Sequence, residues 1–327
     1  MKVDYVQRIL NSRVYEVARE TPLDEATALS ARLGVRFLLK REDLQPVHSY
    51  KLRGAYNKMC RLTHAELENG VVCNSSGNHA QGVALSAEKL GVRAVVVMPA
   101  TTPAIKVSAV KAYGASVILY GESYSDTYEE LHRQIAEHGY AYFAPFDDPD
   151  VIAGQGTVGK EILDQAGARL DAVYAPIGGG GLASGVAVYL KSVNPSVRVY
   201  GVEPVDSDCM ARSIEAKRRV VIENPGHFAD GVCVREPGEE TFRLCSQYLD
   251  GIVRVTTEET CVAMKDIYEA TRVICEPAGA LALAAAKKTA KKGETVACVI
   301  SGANMDFDRI RFVCEVNEAC GQRKVLS

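Results

Sequence analysis

The chain has 327 residues, of which 47% are hydrophobic and 24% are charged. Such proportions are typical of a soluble globular protein, and the length suffices for one large domain or two ordinary ones. The formal net charge of −3 argues against a nucleic acid or an anionic membrane as a partner. We therefore expect a small-molecule ligand.

The ten cysteines and six histidines are scattered along the chain. No two cysteines form a C-x-x-C pair, and the histidines lack the spacing of metal ligands. The N-terminus, MKVDYVQRIL, lacks the apolar segment of a signal peptide, and no apolar run is long enough to span a bilayer. These features predict a cytoplasmic protein with free, mostly buried thiols and no bound metal.

Strand-like and helix-like runs alternate along most of the chain. Several strand-like runs are continuously apolar, which is typical of parallel sheets covered on both faces. The alternation predicts an α/β fold with functional loops at the carboxyl ends of strands. The predicted strands are 37–40, 71–74, 94–98, 116–120, 141–144, 172–177, 198–202, 252–255 and 296–300, and the predicted helices include 80–90, 124–138, 182–192 and 258–271.

These strands are more numerous than in a common single sheet, so we predict two domains with a cleft between them. Hinges are expected near residues 64–70 and 145–149. The large domain would then comprise residues 1–66 plus 148–327, and the small domain residues 67–147.

Four consecutive glycines, Gly178 to Gly181, follow one predicted strand and open a helix-like run. Glycine lets a phosphate approach the backbone, and the first amides of a helix favour an anion. The run therefore predicts a phosphate cradle. The spacing Gly178-x-Gly180-x-x-Ala183, with Glu203 about twenty residues on, also fits a dinucleotide fingerprint.

Three further segments accompany the glycines: HSYKLRGA at 48–55, SSGNHAQG at 75–82 and SGAN at 301–304. With GGGGLASG at 178–185, they resemble the fold-type-II pyridoxal-phosphate enzymes of the serine/threonine dehydratase–serine racemase group. The resemblance runs from about Val14 to Val313 and implies a two-domain fold like that of the tryptophan synthase β chain. Supporting stretches are TPL at 21–23, KRED at 40–43, IAGQGT at 152–157, FADG at 228–231 and EPAGA at 276–280.

The resemblance implies that Lys51 carries the aldehyde of pyridoxal 5'-phosphate and then takes the Cα proton of the substrate. A lysine amine is nucleophilic only when neutral, and burial lowers its pKa. Without the resemblance, Lys51 would be interpreted as a surface lysine. The resemblance assigns cofactor binding to Lys51, Tyr50, Asn78, Gly178, Gly179, Gly180, Gly181, Leu182, Glu276 and Ser301, and substrate binding to Ser75, Ser76, Gly77, Asn78 and His79.

Several of these residues also have a purely structural interpretation from the local sequence. Tyr50 also suits a position in the core, and the Ser75–His79 loop and Ser301 are also explained as helix caps. In the functional interpretation, the Ser301 hydroxyl faces the pyridine nitrogen of the cofactor. A neutral group there makes a weaker electron sink, which favours loss of a β-substituent over transamination.

The resemblance is closest to threonine dehydratases, which implies conversion of L-threonine to 2-oxobutyrate and ammonia, and of L-serine to pyruvate. Many threonine dehydratases carry alanine at the position of Ser76. Serine racemases and hydroxyaspartate dehydratases tend to carry serine there, as a second catalytic acid, so that alternative stays open. Outside the family, the alternatives are a nicotinamide-dependent oxidoreductase and a sensor of phosphorylated ligands.

The racemase-like enzymes also bind a divalent cation, for which Glu203 and Asp208 would be the ligands, although a solvated pair is the simpler interpretation. The resemblance further implies a homodimer or homotetramer. We expect no C-terminal regulatory domain after Val313, and hence no inhibition by isoleucine.

Overall fold

The computed structural model describes residues 3–122, 124–167 and 169–325. Its strands are β1 (Leu23–Glu25), β2 (Arg36–Arg41), β3 (Val71–Asn74), β4 (Ala94–Met98), β5 (Ser116–Leu119), β6 (Ala141–Tyr142), β7 (Ala172–Pro176), β8 (Arg198–Pro204), β9 (Gly251–Val255) and β10 (Thr295–Ile300). Its helices are α1 (Tyr5–Leu10), α2 (Thr27–Leu33), α3 (Lys51–Met59), α4 (His64–Leu67), α5 (Asn78–Leu90), α6 (Ala104–Lys111), α7 (Tyr124–His138), α8 (Pro149–Gln165), α9 (Gly181–Val193), α10 (Cys209–Ala216), α11 (Glu239–Tyr248), α12 (Thr257–Thr271), α13 (Pro277–Thr289) and α14 (Arg309–Val325).

The strands form two sheets. The larger has the order β1-β2-β10-β7-β8-β9 and is parallel except for β1, which pairs antiparallel with β2. The smaller has the order β5-β4-β3-β6 and is parallel throughout. The predicted α/β class is confirmed, and each predicted strand is present with ends displaced by a few residues at most.

The small sheet illustrates why the apolar runs become strands covered on both faces. In β3, Val71 and Cys73 pack with Val83 of α5, whereas Val72 between them packs with Leu131 of α7. Side chains alternate between the two faces of a strand, so a continuously apolar run needs a helix on each side. Helices α3 and α5 thus cover one face of the small sheet and α7 the other, and the loop after β3 leads directly into α5.

The strands of the small sheet lie between residues 71 and 142, and those of the large sheet lie outside that range. The chain therefore leaves the large sheet after α3 and returns to it through α8, which packs against both α3 and α9. The domain limits given above, 1–66 plus 148–327 and 67–147, stay predictions. In the described part of the chain, no helix combines the length and apolarity that crossing a membrane requires.

Candidate active site

The glycine run forms a tight turn between the carboxyl end of β7 and the start of α9. Gly180 has a φ of 98°, and a Cβ there would collide with Met210 and Thr241. Within the described residues, the backbone amides of Gly178 to Leu182 have no hydrogen-bond acceptor. Unpaired amides at the N-terminus of a helix attract an anion. The turn therefore fits the phosphate of a cofactor.

The segment after β6 covers this turn. The ring of Phe146 lies against Gly179, close enough to collide with a Cβ there, and the Phe146 backbone and Cβ lie against Gly181. The Asp147 carboxylate accepts the amides of the first residues of α11, at 2.9 to 3.1 Å. From α11, the Thr241 hydroxyl donates to the Gly179 carbonyl at 2.6 Å. Phe146 and Thr241, which belong to none of the sequence motifs, thus hold the glycine turn on two sides.

Gly179→Ala is expected to weaken cofactor binding roughly tenfold or more, because overpacking costs about 1–3 kcal/mol. Gly179 has no left-handed backbone conformation, so the effect would be purely a collision with Phe146. A spectroscopic titration with pyridoxal phosphate measures it. Phe146→Ala in the same chain should restore part of the affinity by making room. Wild-type affinity in the Gly179→Ala variant would contradict the collision.

Lys51 is the first residue of α3, and its amine points into the protein. The Nζ atom donates to the Pro145 carbonyl at 3.3 Å and lies 5.4 Å from the centroid of the Tyr50 ring. Burial lowers the pKa of Lys51 to about 8, and Glu276 opposes this shift only when its carboxyl group is ionised. Pro145 adjoins Phe146, so one segment contacts both the amine and the glycine turn.

Arg53 fixes α3 two residues after Lys51. Its guanidinium binds both oxygens of Glu42 at 2.8 Å and both oxygens of Glu161 at 2.6 and 3.0 Å. Glu161 also pairs with Lys40 at 2.6 Å, and these four side chains are buried. The network ties α3 to α8 and to the end of β2, so the position of Lys51 depends on it.

The Ser75–His79 loop follows β3 and leads into α5. The helix-cap interpretation is wrong here, because α5 begins after Gly77 and has no side-chain cap. His79 lies with its Nε2 3.0 Å from the Phe143 carbonyl. Burial, with a contribution from the charge of Lys51, lowers the pKa of His79 to about 3. The imidazole is therefore neutral and ties this loop to the segment that contacts Lys51.

Glu276, the residue before α13, and Asn78, the first residue of α5, are in direct contact. The Asn78 amide donates to a Glu276 carboxyl oxygen at 2.7 Å, and Asn304 donates to the Asn78 oxygen at 2.7 Å. Burial, and next the nearby charge of Asp230, raise the pKa of Glu276 to about 8. The carboxyl group is therefore mostly protonated at neutral pH.

Ser301 follows β10, and its carbonyl accepts the Tyr50 amide at 3.2 Å. The alternative that Ser301 caps a helix is wrong, because α14 begins only at Arg309. The core alternative for Tyr50 is partly correct, because its half-buried ring packs against the apolar cluster between the large sheet and α9. The backbone pairing brings Lys51 and Ser301 to the same end of the large sheet.

The acidic pair Glu203 and Asp208 is not solvated, which corrects the sequence interpretation. Glu203 is fully buried, and its carboxylate accepts the amides of Met210 and Ala211 at 2.9 and 2.8 Å. Asp208 binds Arg212 and Arg254 at 2.7 and 2.8 Å. Both groups thus stabilise the start of α10. Glu203 is also not free to bind a ribose, so the dinucleotide alternative loses its acidic residue.

Two largely parallel sheets flanked by helices, a half-buried lysine with a lowered pKa and a glycine turn with unpaired amides are the features expected of an enzyme that binds a phosphorylated cofactor. The chain belongs to the family of pyridoxal-phosphate dependent enzymes, whose model matches residues 14–302. The resemblance inferred from the four motifs is confirmed, and pyridoxal 5'-phosphate is the cofactor of the family. The nicotinamide alternative is therefore wrong.

Within this family, the chain is similar to threonine dehydratases. It is 51% identical over 327 residues to threonine dehydratase 1, biosynthetic and chloroplastic, of Solanum lycopersicum, and covers 54% of that protein. The processed form of threonine deaminase isoform 2 from the same organism has a TM-score of 0.93 and 45% identity, with 95% of this chain and 87% of that chain covered. Maize serine racemase has a TM-score of 0.89 and 32% identity, with 98% and 99% covered. The chain spans about half the length of the tomato dehydratase.

Proposed function

We propose that this chain is a lyase that converts L-threonine to 2-oxobutyrate and ammonia, and L-serine to pyruvate and ammonia. The observation that carries the proposal is the amine of Lys51, which donates to the Pro145 carbonyl at 3.3 Å and has a pKa lowered to about 8 by burial. The similarity to proteins named threonine dehydratase and threonine deaminase supports threonine as the substrate.

The unpaired amides of Gly178 to Leu182 are suited to hold the cofactor phosphate. Tyr50, Asn78, Glu276 and Ser301 would surround the ring, and the Ser75–His79 loop would bind the substrate carboxylate. When bound, pyridoxal phosphate withdraws electrons from the amino-acid Cα, so that the Cα proton becomes acidic.

We assign the removal of the Cα proton to Lys51. Its Nζ accepts the Cα proton when the amine is neutral, which the lowered pKa makes accessible near pH 8. The Pro145 carbonyl then accepts an N–H of the resulting ammonium group. His79 stays neutral beside the amine, so no second positive charge opposes this protonation. Lys51 thus holds the Cα proton, and the β-hydroxyl takes up one proton and leaves as water, so that the elimination balances.

Production of a 2-oxo acid tests the proposal. Purified protein with added pyridoxal phosphate is expected to release 2-oxobutyrate and ammonia from L-threonine in equal amounts, with pyruvate from L-serine. Chromatographic identification of the oxo acid and an ammonia assay measure both products. Protein that binds the cofactor but forms no oxo acid from threonine, serine or hydroxyaspartate would refute the lyase assignment.

Serine racemization is the second candidate, and Ser76 favours it. Ser76 is half-buried in the loop before α5, and the fold similarity to maize serine racemase extends over nearly the whole chain. If Ser76 is the second acid, L-serine will yield D-serine, and Ser76→Ala will remove D-serine while pyruvate formation continues. Chiral chromatography decides this, and the absence of D-serine from the wild-type reaction would exclude racemization.

The homodimer or homotetramer stays a prediction from the resemblance, and the cytoplasmic location stays a prediction from the cysteines and the N-terminus. All the cysteines in the described part of the chain are free, which agrees with a reducing compartment. Light scattering of the purified protein measures the oligomeric state.

A further inference from the structure

A directed chain of hydrogen bonds runs through the site from Val47 to Glu276. The Asn304 Nδ2 atom donates to the Val47 carbonyl at 2.8 Å and to Asn78 Oδ1 at 2.7 Å. The Asn78 Nδ2 atom in turn donates to Glu276 Oε1 at 2.7 Å. These hydrogen bonds join the loop before α3, the loop after β10 and the first residue of α5.

The Val47 carbonyl sets the direction of this chain, because a backbone carbonyl can only accept. The part of Asn304 that faces it must therefore be the amide NH2. Its second N–H reaches Asn78, so the facing atom of Asn78 must be the oxygen. The NH2 group of Asn78 is then turned towards Glu276.

Glu276 alone does not fix this orientation. Burial raises the pKa of Glu276 to about 8, so its carboxyl group is mostly protonated at neutral pH and either donates or accepts. A flipped Asn78 would still find a partner in Glu276, with its oxygen accepting instead of its NH2 donating. Asn304 is the contact that discriminates between the two orientations.

The Asn78 NH2 group carries a second N–H that has no acceptor among the residues described. In the observed orientation, this N–H is available to an oxyanion. In the flipped orientation, the site would present a carbonyl oxygen instead, which repels an anion. The orientation of one amide therefore decides whether Asn78 binds an anionic oxygen.

We propose that Asn304 is a positioning residue that keeps the NH2 group of Asn78 available to the anionic ring oxygen of the bound cofactor. The inference rests on the proposed function, because it takes the cofactor to lie beside Asn78. Asn304 itself has no direct contact with the cofactor in this assignment. Its contribution passes through Asn78.

A double-mutant cycle tests this route. Cofactor-free wild-type protein and the variants Asn304→Ala, Asn78→Ala and the double variant are titrated with pyridoxal phosphate, and the visible spectrum gives both the Kd and the position of the absorption band. Each single substitution is expected to raise the Kd roughly tenfold, as for loss of a hydrogen bond to a charged group. The double variant should bind within about twofold of Asn78→Ala, because the two residues act as a unit.

Asn304→Asp is a sharper variant, because it keeps the shape of the side chain and loses its donors. A carboxylate at this position would attract the NH2 group of Asn78 away from Glu276. We expect a larger increase in Kd than for Asn304→Ala, with a shifted absorption band. Asn317→Ala is the matched control, because the Asn317 amide also donates to two carbonyls, those of Cys261 and Val313, at 2.9 and 2.8 Å. Its Kd should equal that of the wild type.

The outcomes separate the inference from the function on which it rests. If Asn304→Ala raised the Kd for pyridoxal phosphate by the same factor in the wild-type protein and in the Asn78→Ala variant, the positioning role would be overturned and the lyase proposal would stay intact. Wild-type binding by Asn304→Asp would do the same. An unchanged Kd for Asn78→Ala would instead overturn both the placement of the cofactor beside Asn78 and the inference.

Discussion

Lys51→Ala is expected to lower the proposed turnover of threonine by roughly 10³-fold or more, because it removes the group that we assign as both anchor of the cofactor and acceptor of the Cα proton. The 2-oxobutyrate assay measures the loss. Borohydride reduction followed by mass spectrometry of peptides should detect the cofactor on Lys51 in the wild type and no attached cofactor in the variant.

Lys58→Ala provides the control for this experiment. Lys58 lies on the same helix, pairs with Asp148 and is not assigned to the site. Its removal should leave both cofactor attachment and turnover unchanged. Substantial activity in Lys51→Ala, or cofactor fixed on another lysine of the wild type, would refute the role that we give to this amine.

Arg53→Met should lower the free energy of unfolding by about 3–5 kcal/mol, the usual cost of removing one partner from a buried ion-pair network. The substitution leaves Glu42 and Glu161 buried with only Lys40 to compensate them. Urea denaturation of the cofactor-free protein, followed by circular dichroism, measures the change. A loss below about 1 kcal/mol would show that water or a structural shift compensates these carboxylates.

Two further variants separate charge burial from a general effect of losing an arginine. Arg311 forms its ion pair with Glu315 at the surface, with 86% of its side chain exposed, so Arg311→Met should leave the denaturation curve unchanged. Adding Glu161→Gln to Arg53→Met should recover part of the stability by removing one uncompensated charge. If the double variant were less stable than Arg53→Met, the electrostatic explanation would fail.

Local signals made most of the secondary structure predictable. Apolar runs bounded by glycine, proline and polar residues locate strands well, because the pattern and the strand occupy the same few residues. Strand β1 was missed since it has only three residues, Leu-Asp-Glu, and depends on pairing with β2. The helix-cap interpretations of the Ser75–His79 loop and of Ser301 are wrong because serine and asparagine are common both at helix N-termini and in binding loops, so the local sequence does not distinguish the two.

The sequence by itself determined the α/β class, the glycine turn that we propose to hold the phosphate and, through the family resemblance of its motif, the candidacy of Lys51, because each depends on residues that are adjacent in the chain. Only the tertiary structure decided which groups surround them. Asn78 meets Glu276 across 198 residues, and Arg53 meets Glu161 across 108. The burial of Glu203 and the contact of Phe146 with the glycine turn likewise depend on packing between distant segments. Burial and contacts with distant residues set the protonation of Glu276 and the orientation of Asn78, and these two properties cannot be predicted from the neighbouring residues in the sequence.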